Sequence, residues 1–215
     1  MARTGRPREF DLDSALDGAM LLFWEHGYEA TSLAQLRAAM GISSASFYAA
    51  FSSKQGLFDA VVRRYNSSFG QVTDDVADEE LPPRTAVERI LRQSVAMQTD
   101  PSHPSGCLVV LSATAGAADH DQARALLADR RALVRRDLTA CIRRAVAAGD
   151  LPAQCDPSEL ASAFAGFMWG ISTEARDGVP RRTIDAAVGH VMRVWDSLST
   201  SGSTAAPDAP DGGDR

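Results

Sequence analysis

Four histidines (His26, His103, His120, His190) and three cysteines (Cys107, Cys141, Cys155) are the side chains in this 215-residue sequence best suited to metal or nucleophilic chemistry. Their spacing serves neither. Zinc ligands come in pairs roughly two to four residues apart, and a disulfide framework needs an even cysteine count. His120 lies between Asp119 and Asp121, but a helix begins there and its positive end favours acidic residues anyway. The sequence holds no Gly-rich phosphate loop, no nucleophile elbow and no HExxH run. An enzyme is therefore not expected, nor a metal or cofactor. One sharper alternative is redox or metal sensing through Cys107 and His103, set against the plainer role of Cys107 as core on an apolar stretch.

A different chemistry is written around Gly41. Two short helical segments flank it, the first with Leu33, Leu36 and Met40 as its inner stripe, the second over Ser44 to Ala50 with Ser43 as cap. Glycine at the turn supplies left-handed backbone. The arrangement is a helix-turn-helix, in which the first helix positions and the second offers its outer face to the major groove. A helical hairpin inside an ordinary bundle would show the same turn.

These segments need a frame, and helical spacing dominates the chain, with no sustained apolar–polar alternation. The fold expected is all-α, about nine helices in total. A first helix starts at Asp11 and carries Leu12, Leu16, Ala19, Met20 and Phe23 to a stop at Gly27. Thr31 reads as the cap of the second, and Ser52-Ser53-Lys54-Gln55 as a capping box before a longer helix. Residues 1–9 read as a flexible basic arm, 10–52 as the helix-turn-helix domain and 53–70 as a connecting helix. Residues 71–83 are acidic, end in Pro82-Pro83 and read as a linker. Residues 84–198 form the larger helical domain, with helices near 84–99, 105–118, 120–148, 157–176 and 181–198. Asp156-Pro157-Ser158-Glu159 is a strong start signal. The Gly, Pro, Ser and Asp of 199–215 have little to bury and read as a disordered tail.

Residue by residue, Gly5-Arg6-Pro7, Phe23-Trp24, Gly27 to Ser32, Gly41-Ile42-Ser43, Phe47 to Phe51 and Ser53 to Phe58 closely resemble the DNA-binding region of TetR/AcrR-family transcriptional regulators. The run Tyr48-x-x-Phe51-x-Ser53-Lys54-x-x-Leu57 is its most diagnostic part. The resemblance covers roughly residues 5–66; beyond, it extends to helix count, length and the Gly106-Cys107-Leu108 opening. It implies a homodimeric repressor, released from a palindromic double-stranded operator by a small-molecule effector. Tyr48, with its ring on Phe51, and Lys54 are expected at phosphates, as are Thr31 and Ser32 at the start of the second helix and Arg3, Arg6 and Arg8 in the arm. Base contacts fall to Ser43, Ser44, Ala45, Ser46 and Ala49. Many relatives carry Lys, Arg or His in place of Ser44 and Ala49. None of the five side chains can make a bidentate guanine contact, so direct readout is modest.

Charge divides the same way. The net −6 lies wholly beyond residue 66, while residues 1–66 balance seven basic against seven acidic groups. Apolar faces on the last two helices (Leu160, Phe164, Phe167, Met168, Ile171; Ile184, Val188, Val191, Val194, Leu198), with small Ala161, Ala165, Gly166 and Gly170, serve core on one side and, by resemblance, a four-helix dimer interface on the other. Met97, His103, Cys107, Val110, Leu111, Phe164, Phe167, Met168 and Trp169 are the candidate lining of an effector pocket suited to a hydrophobic or aromatic molecule. The longest apolar stretch, Ala163 to Ile171, is too short to span a membrane, and the first twenty residues lack the apolar core of a signal peptide. A cytoplasmic location is expected. The rival reading is a helical adaptor that binds a partner without sequence-specific DNA affinity.

Overall fold

Apolar residues at helical spacing fold as helices wherever the chain can be described. The computed structural model describes residues 12–112 and 121–201, and among these it contains nine α-helices, one 3-10 helix and no strand. Helix α1 (Leu12–Ala30) buries Ala15, Ala19, Met20, Phe23 and Trp24. Gly27 kinks it instead of ending it: φ 80° and ψ 169° are accessible to glycine alone without strain. The kink turns the Tyr28 N–H outward to donate to Ser112 O at 2.8 Å.

Helix α2 (Leu33–Met40) begins one residue later than Thr31 as cap would place it. Ser32 is the cap, its hydroxyl accepting from Gln35 N while the Gln35 side chain accepts from Ser32 N at 2.8 Å. Gly41, at φ 66°, closes α2 as expected. Ser43 caps α3 (Ser44–Phe51) and Ser53 caps α4 (Lys54–Asn66). The capping box expected at Ser52 to Gln55 does not form, because capping by Ser53 brings Gly56 to the third position and frees Gln55 to donate to Asp59 at 2.7 Å.

The acidic stretch read as a linker is ordered over part of its length. Phe69–Ala77 winds as a 3-10 helix, η1, with Val76 buried. Its acidity is its anchor: Asp75 accepts from Arg89 at 3.1 Å and Gln93 at 3.0 Å, both on α5 (Pro83–Gln98). Helix α6 (Leu108–Leu111) is short. Of the helix expected over 105–118, residues 113–118 lie outside the described residues, as do 119–120, residues 1–11 with the arm and the expected cap Asp11, and residues 202–215. Helices α7 (Asp121–Ala148), α8 (Pro157–Arg176) and α9 (Arg181–Ser201) follow, and Asp156 caps α8 by accepting from Ser158 N and Glu159 N.

Two apolar clusters form. One joins α1–α4 to Leu108, Val109, Ala123 and Leu127; the other joins Val76 to α5, α7, α8 and α9. An ion network borders the second, with Arg84 donating to Glu88 and Asp196, and Arg92 to Glu88 and Asp185. Arg92, then Arg84, hold the Glu88 carboxyl below its ordinary pKa, and Arg84 does so for Asp196. Groups so depressed stabilise the fold above their unfolded pKa and lose that contribution as pH falls through the folded one. The melting temperature should therefore be flat above about pH 5 and decline below it. Glu88→Gln should lower it modestly near neutrality and shallow the acid decline, with salt reducing the difference; identical acid limbs in both proteins would exclude the network as the cause.

Candidate nucleic-acid interface and sensor cavity

Helix α3 carries a buried side chain on one face and a continuous exposed surface on the other. Phe47 is wholly buried. Ser43, Ser44, Ala45, Ser46, Tyr48 and Ala49 are exposed, so all the residues expected to face bases share one surface. Ser43 and Ser46 are partly occupied with each other, since Ser46 N donates to Ser43 Oγ at 3.1 Å and the two hydroxyls lie 2.9 Å apart. The Tyr48 ring meets Phe47 edge-on, with centroids 5.3 Å apart, and not Phe51 as expected; Phe51 itself packs on Phe47 at 5.8 Å. The phenol is left half exposed.

Lys54 opens α4 beside this surface, its Nζ 4.3 Å from the centroid of the Tyr28 ring. Burial lowers its pKa and Glu29 opposes that, leaving a cation held over an aromatic face. Ser32 is exposed, with its hydroxyl engaged in the capping box. Thr31 departs from expectation. It is buried, and its hydroxyl donates to Gly27 O at 2.7 Å, so it secures the kink of α1 and has no surface to give a phosphate. Arg3, Arg6 and Arg8 lie outside the described residues.

The height of α3 is set by α4. A Cβ on Gly56 would fall 2.2 Å from Phe51 O, a backbone atom at the end of α3. Arg64 fixes the other end, donating to Asp17 at 2.8 Å and Asp13 at 3.0 Å on α1. Gly56→Ala should force α3 and α4 apart, costing about 1–3 kcal/mol by overpacking and misplacing the exposed face. Thermal unfolding together with DNA binding tests this: a variant of unchanged stability and affinity would show the close approach to be dispensable.

A cavity of about 220 Å³ lies among α4, η1, α5, α6, α7 and α8. Met97, Cys107, Val110, Met168 and Trp169 line it as the sequence suggested. Four expected members do not. Phe164 is core against Trp195, Phe167 packs on the second apolar cluster, and Leu111 is absent from the wall, where Val109 and Val110 stand. His103 stacks on Trp24 at 4.5 Å, drawn there by the aromatic group of Trp24, Tyr65 and Phe69. The sequence reading missed Tyr65, Asn66, Thr73, Ser94, Gln98, Arg130, Arg131, Val134 and Asp137. Polar residues scattered over four elements leave no periodic signal, and the contribution of η1 was hidden by its acidity.

The cavity is tied to the reading head. Tyr65 on α4 donates to Cys107 Sγ at 3.3 Å, and burial pushes both the phenol and the thiol up in pKa. Directly behind Cys107, the Trp24 indole of α1 donates to Gly106 O at 3.0 Å. Ser112, at the end of α6, donates its hydroxyl to Phe23 O at 3.0 Å and accepts from Tyr28 N. Arg176 on α8 donates to Glu25 O and Trp24 O, both at 3.0 Å. Among the described residues no group of three or more His, Cys, Asp or Glu is placed to hold a metal ion, and no helix is long and apolar enough to cross a membrane.

Known proteins resemble the chain over nearly all of it. A model of bacterial regulatory proteins of the tetR family matches residues 15–61, and a model of the tetracyclin repressor-like C-terminal domain matches residues 83–191. The HTH-type transcriptional repressor ComR of Escherichia coli (strain K12) is 35% identical over 195 residues, 90% of this chain and 93% of ComR. The repressor BdcR of the same organism is 31% identical over 106 residues, 49% of this chain and 54% of BdcR. Among solved structures, a cysteine mutant of the regulator CifR complexed with 26bp double-strand operator DNA superposes with a TM-score of 0.83 at 42% identity, covering 88% of this chain and all of that one.

Proposed function

Since the chain belongs to the tetR family of bacterial regulatory proteins and is a DNA-binding transcriptional regulator, we propose that it acts as a homodimeric repressor, released from a palindromic operator when a small molecule enters the cavity. The exposed run from Ser43 to Ala49, held up by buried Phe47, carries the reading. Tyr48 and Lys54 give phosphate contacts that set register. The serines and alanines then meet base edges and thymine methyls, with groove shape and water adding discrimination.

Support for the dimer comes from two helix faces that the described residues cover only in part. On α8, Ala163, Gly166, Phe167 and Gly170 recur at helical spacing and are exposed or half-buried. On α9, Val191, Val194 and Leu198 do the same. A Cβ on Gly166 or Gly170 would meet nothing within 4 Å among the described residues, so packing among them does not demand glycine there. A second copy approaching closely would. Twofold pairing then presents two α3 helices about 34–36 Å apart on one side of the duplex.

Release follows from differential affinity. A ligand filling the cavity favours whichever placement of α6 accommodates it, and the bonds of Gly106 and Ser112 transmit that placement to α1. The test is selection from self-genome fragments by the purified protein, followed by alignment of what is recovered. An imperfect palindrome is expected. Failure of a proven dimer to enrich any site at low salt would overturn the reading. Action on DNA agrees with a cytoplasmic location.

A further inference from the structure

The cavity wall is not uniformly apolar, and although Tyr65 bonds Cys107 and Thr73 bonds Gly70 O, not all of its donors are matched. On α4, Asn66 Nδ2 is buried with no hydrogen-bond partner among the described residues. The other end of that amide is pressed against η1, since a Cβ on Gly70 would lie 3.0 Å from Asn66 Oδ1. On α7, Arg131 donates Nη1 to Val109 O at 2.7 Å and meets no carboxylate among the described residues. Arg130 lines the cavity beside it, and Arg135, one turn on, lies over the Trp169 ring at 4.9 Å.

The two acidic residues on the same wall do not offset this. Asp137 pairs with Arg136 at 3.3 Å, and Asp74 is exposed to solvent. Burial first, and then Arg135, disfavour the charged form of the Arg131 guanidinium. A partly desolvated cation whose recorded acceptor is a neutral carbonyl, together with an orphaned amide, is a set of donors short of an anionic acceptor. Met97, Val134 and Met168 supply apolar surface in the same space. An apolar cavity of roughly 150 Å³ accepts benzene, so this one has room for a ring or short chain plus a head group.

Resting on the effector reading above, we propose that the effector is a small amphipathic carboxylate, its anionic group on Arg131, an acceptor within reach of the Asn66 amide, and its apolar body against Met97, Val134 and Met168. This narrows the hydrophobic or aromatic class expected from the sequence to molecules with an acidic end. It also gives binding a direct route to the reading head, because the guanidinium that would hold the anion already holds the α6 carbonyl of Val109.

The test titrates the full-length protein calorimetrically with phenylacetate, hydrocinnamate and octanoate, each beside its neutral primary amide. At least one acid should bind about tenfold tighter than its amide, the worth of a charge-assisted hydrogen bond. Arg131→Gln should abolish that preference while the amide still binds, and Arg131→Lys should keep most of it. Should Arg131→Gln fail to fold, the acid–amide comparison in the unaltered protein still decides. Equal affinity within every pair, tighter binding of the amides, or no saturable binding of any acid would overturn the proposal. Adding the selected operator separates it from the reading it rests on. An acid that binds without weakening DNA binding leaves the ligand class standing and removes the effector role, whereas neutral molecules that alone bind and release DNA do the reverse.

Discussion

Replacing Tyr48 with alanine is expected to weaken operator binding by about tenfold to a hundredfold per protomer while leaving the melting temperature unchanged. The first part follows from a phenol hydrogen bond to a charged phosphate oxygen, worth about 1.5–3 kcal/mol. The second follows from position: Tyr48 is 50% exposed and meets the buried Phe47 ring edge-on, and surface changes of that kind stay within about 0.5 kcal/mol. Tyr48→Phe isolates the hydroxyl, since it keeps the ring and should lose most of the same affinity. Lys54→Ala should add to the loss through charge, flattening the dependence of log K on log salt by about one for each phosphate contact removed. On the proposed phosphate roles both residues position without reading sequence, so every operator variant should weaken by a similar factor. A loss confined to some variants would place Tyr48 at a base.

Trp24→Ala should be the most damaging single core change, at about 3–5 kcal/mol. Natural folds hold only about 5–15 kcal/mol in reserve, so a fall of roughly 6–20 °C in Tm is expected for a chain of this size. The indole is 1% exposed, meets Tyr65 and Phe69 edge-on at 5.0 and 4.9 Å, and stacks on His103. Trp24→Phe separates packing from polarity. It retains most of the apolar contact but leaves the buried Gly106 carbonyl without its donor, a defect of about 1–3 kcal/mol. Thermal unfolding of both variants checks the pair. A Phe variant as stable as the parent would show that the indole bond contributes nothing, and an Ala variant within 1 kcal/mol, about a third of the smallest expected loss, would show that the aromatic group is not a core.

The parts of this molecule legible in its sequence are those governed by local rules. Gly41 at its turn, Ser43 as a cap, Asp156-Pro157 opening α8 and the exposed face of α3 depend on residues a few positions apart. Misreadings arose where a distant residue decided the outcome. Thr31 looks like a cap until the kink at Gly27 brings a carbonyl within reach of its hydroxyl. His103 looks like a pocket residue until Trp24, some eighty positions away, offers a ring to stack on. The acidic run through Asp75 looks solvated because Arg89 and Gln93, which hold it, lie on another helix. The cavity was the least legible, since its walls come from six elements and its polar members follow no period.

The shared core of α1–α4 with Leu108, Val109, Ala123 and Leu127 bears on how such a protein can be recombined. Composition and charge draw a seam near residue 70, inviting a single crossover that would graft this reading head onto a foreign sensor. Packing places no seam there. A chimera joined at that point would set Phe23, Trp24 and Tyr28 against an α6 that had not been fitted to them. The unit whose exchange keeps that core together is discontinuous, the first four helices together with α6 and the opening turns of α7, with Phe69, His103 and Arg176 still to be matched to α1. Three crossovers are needed where the sequence suggests one.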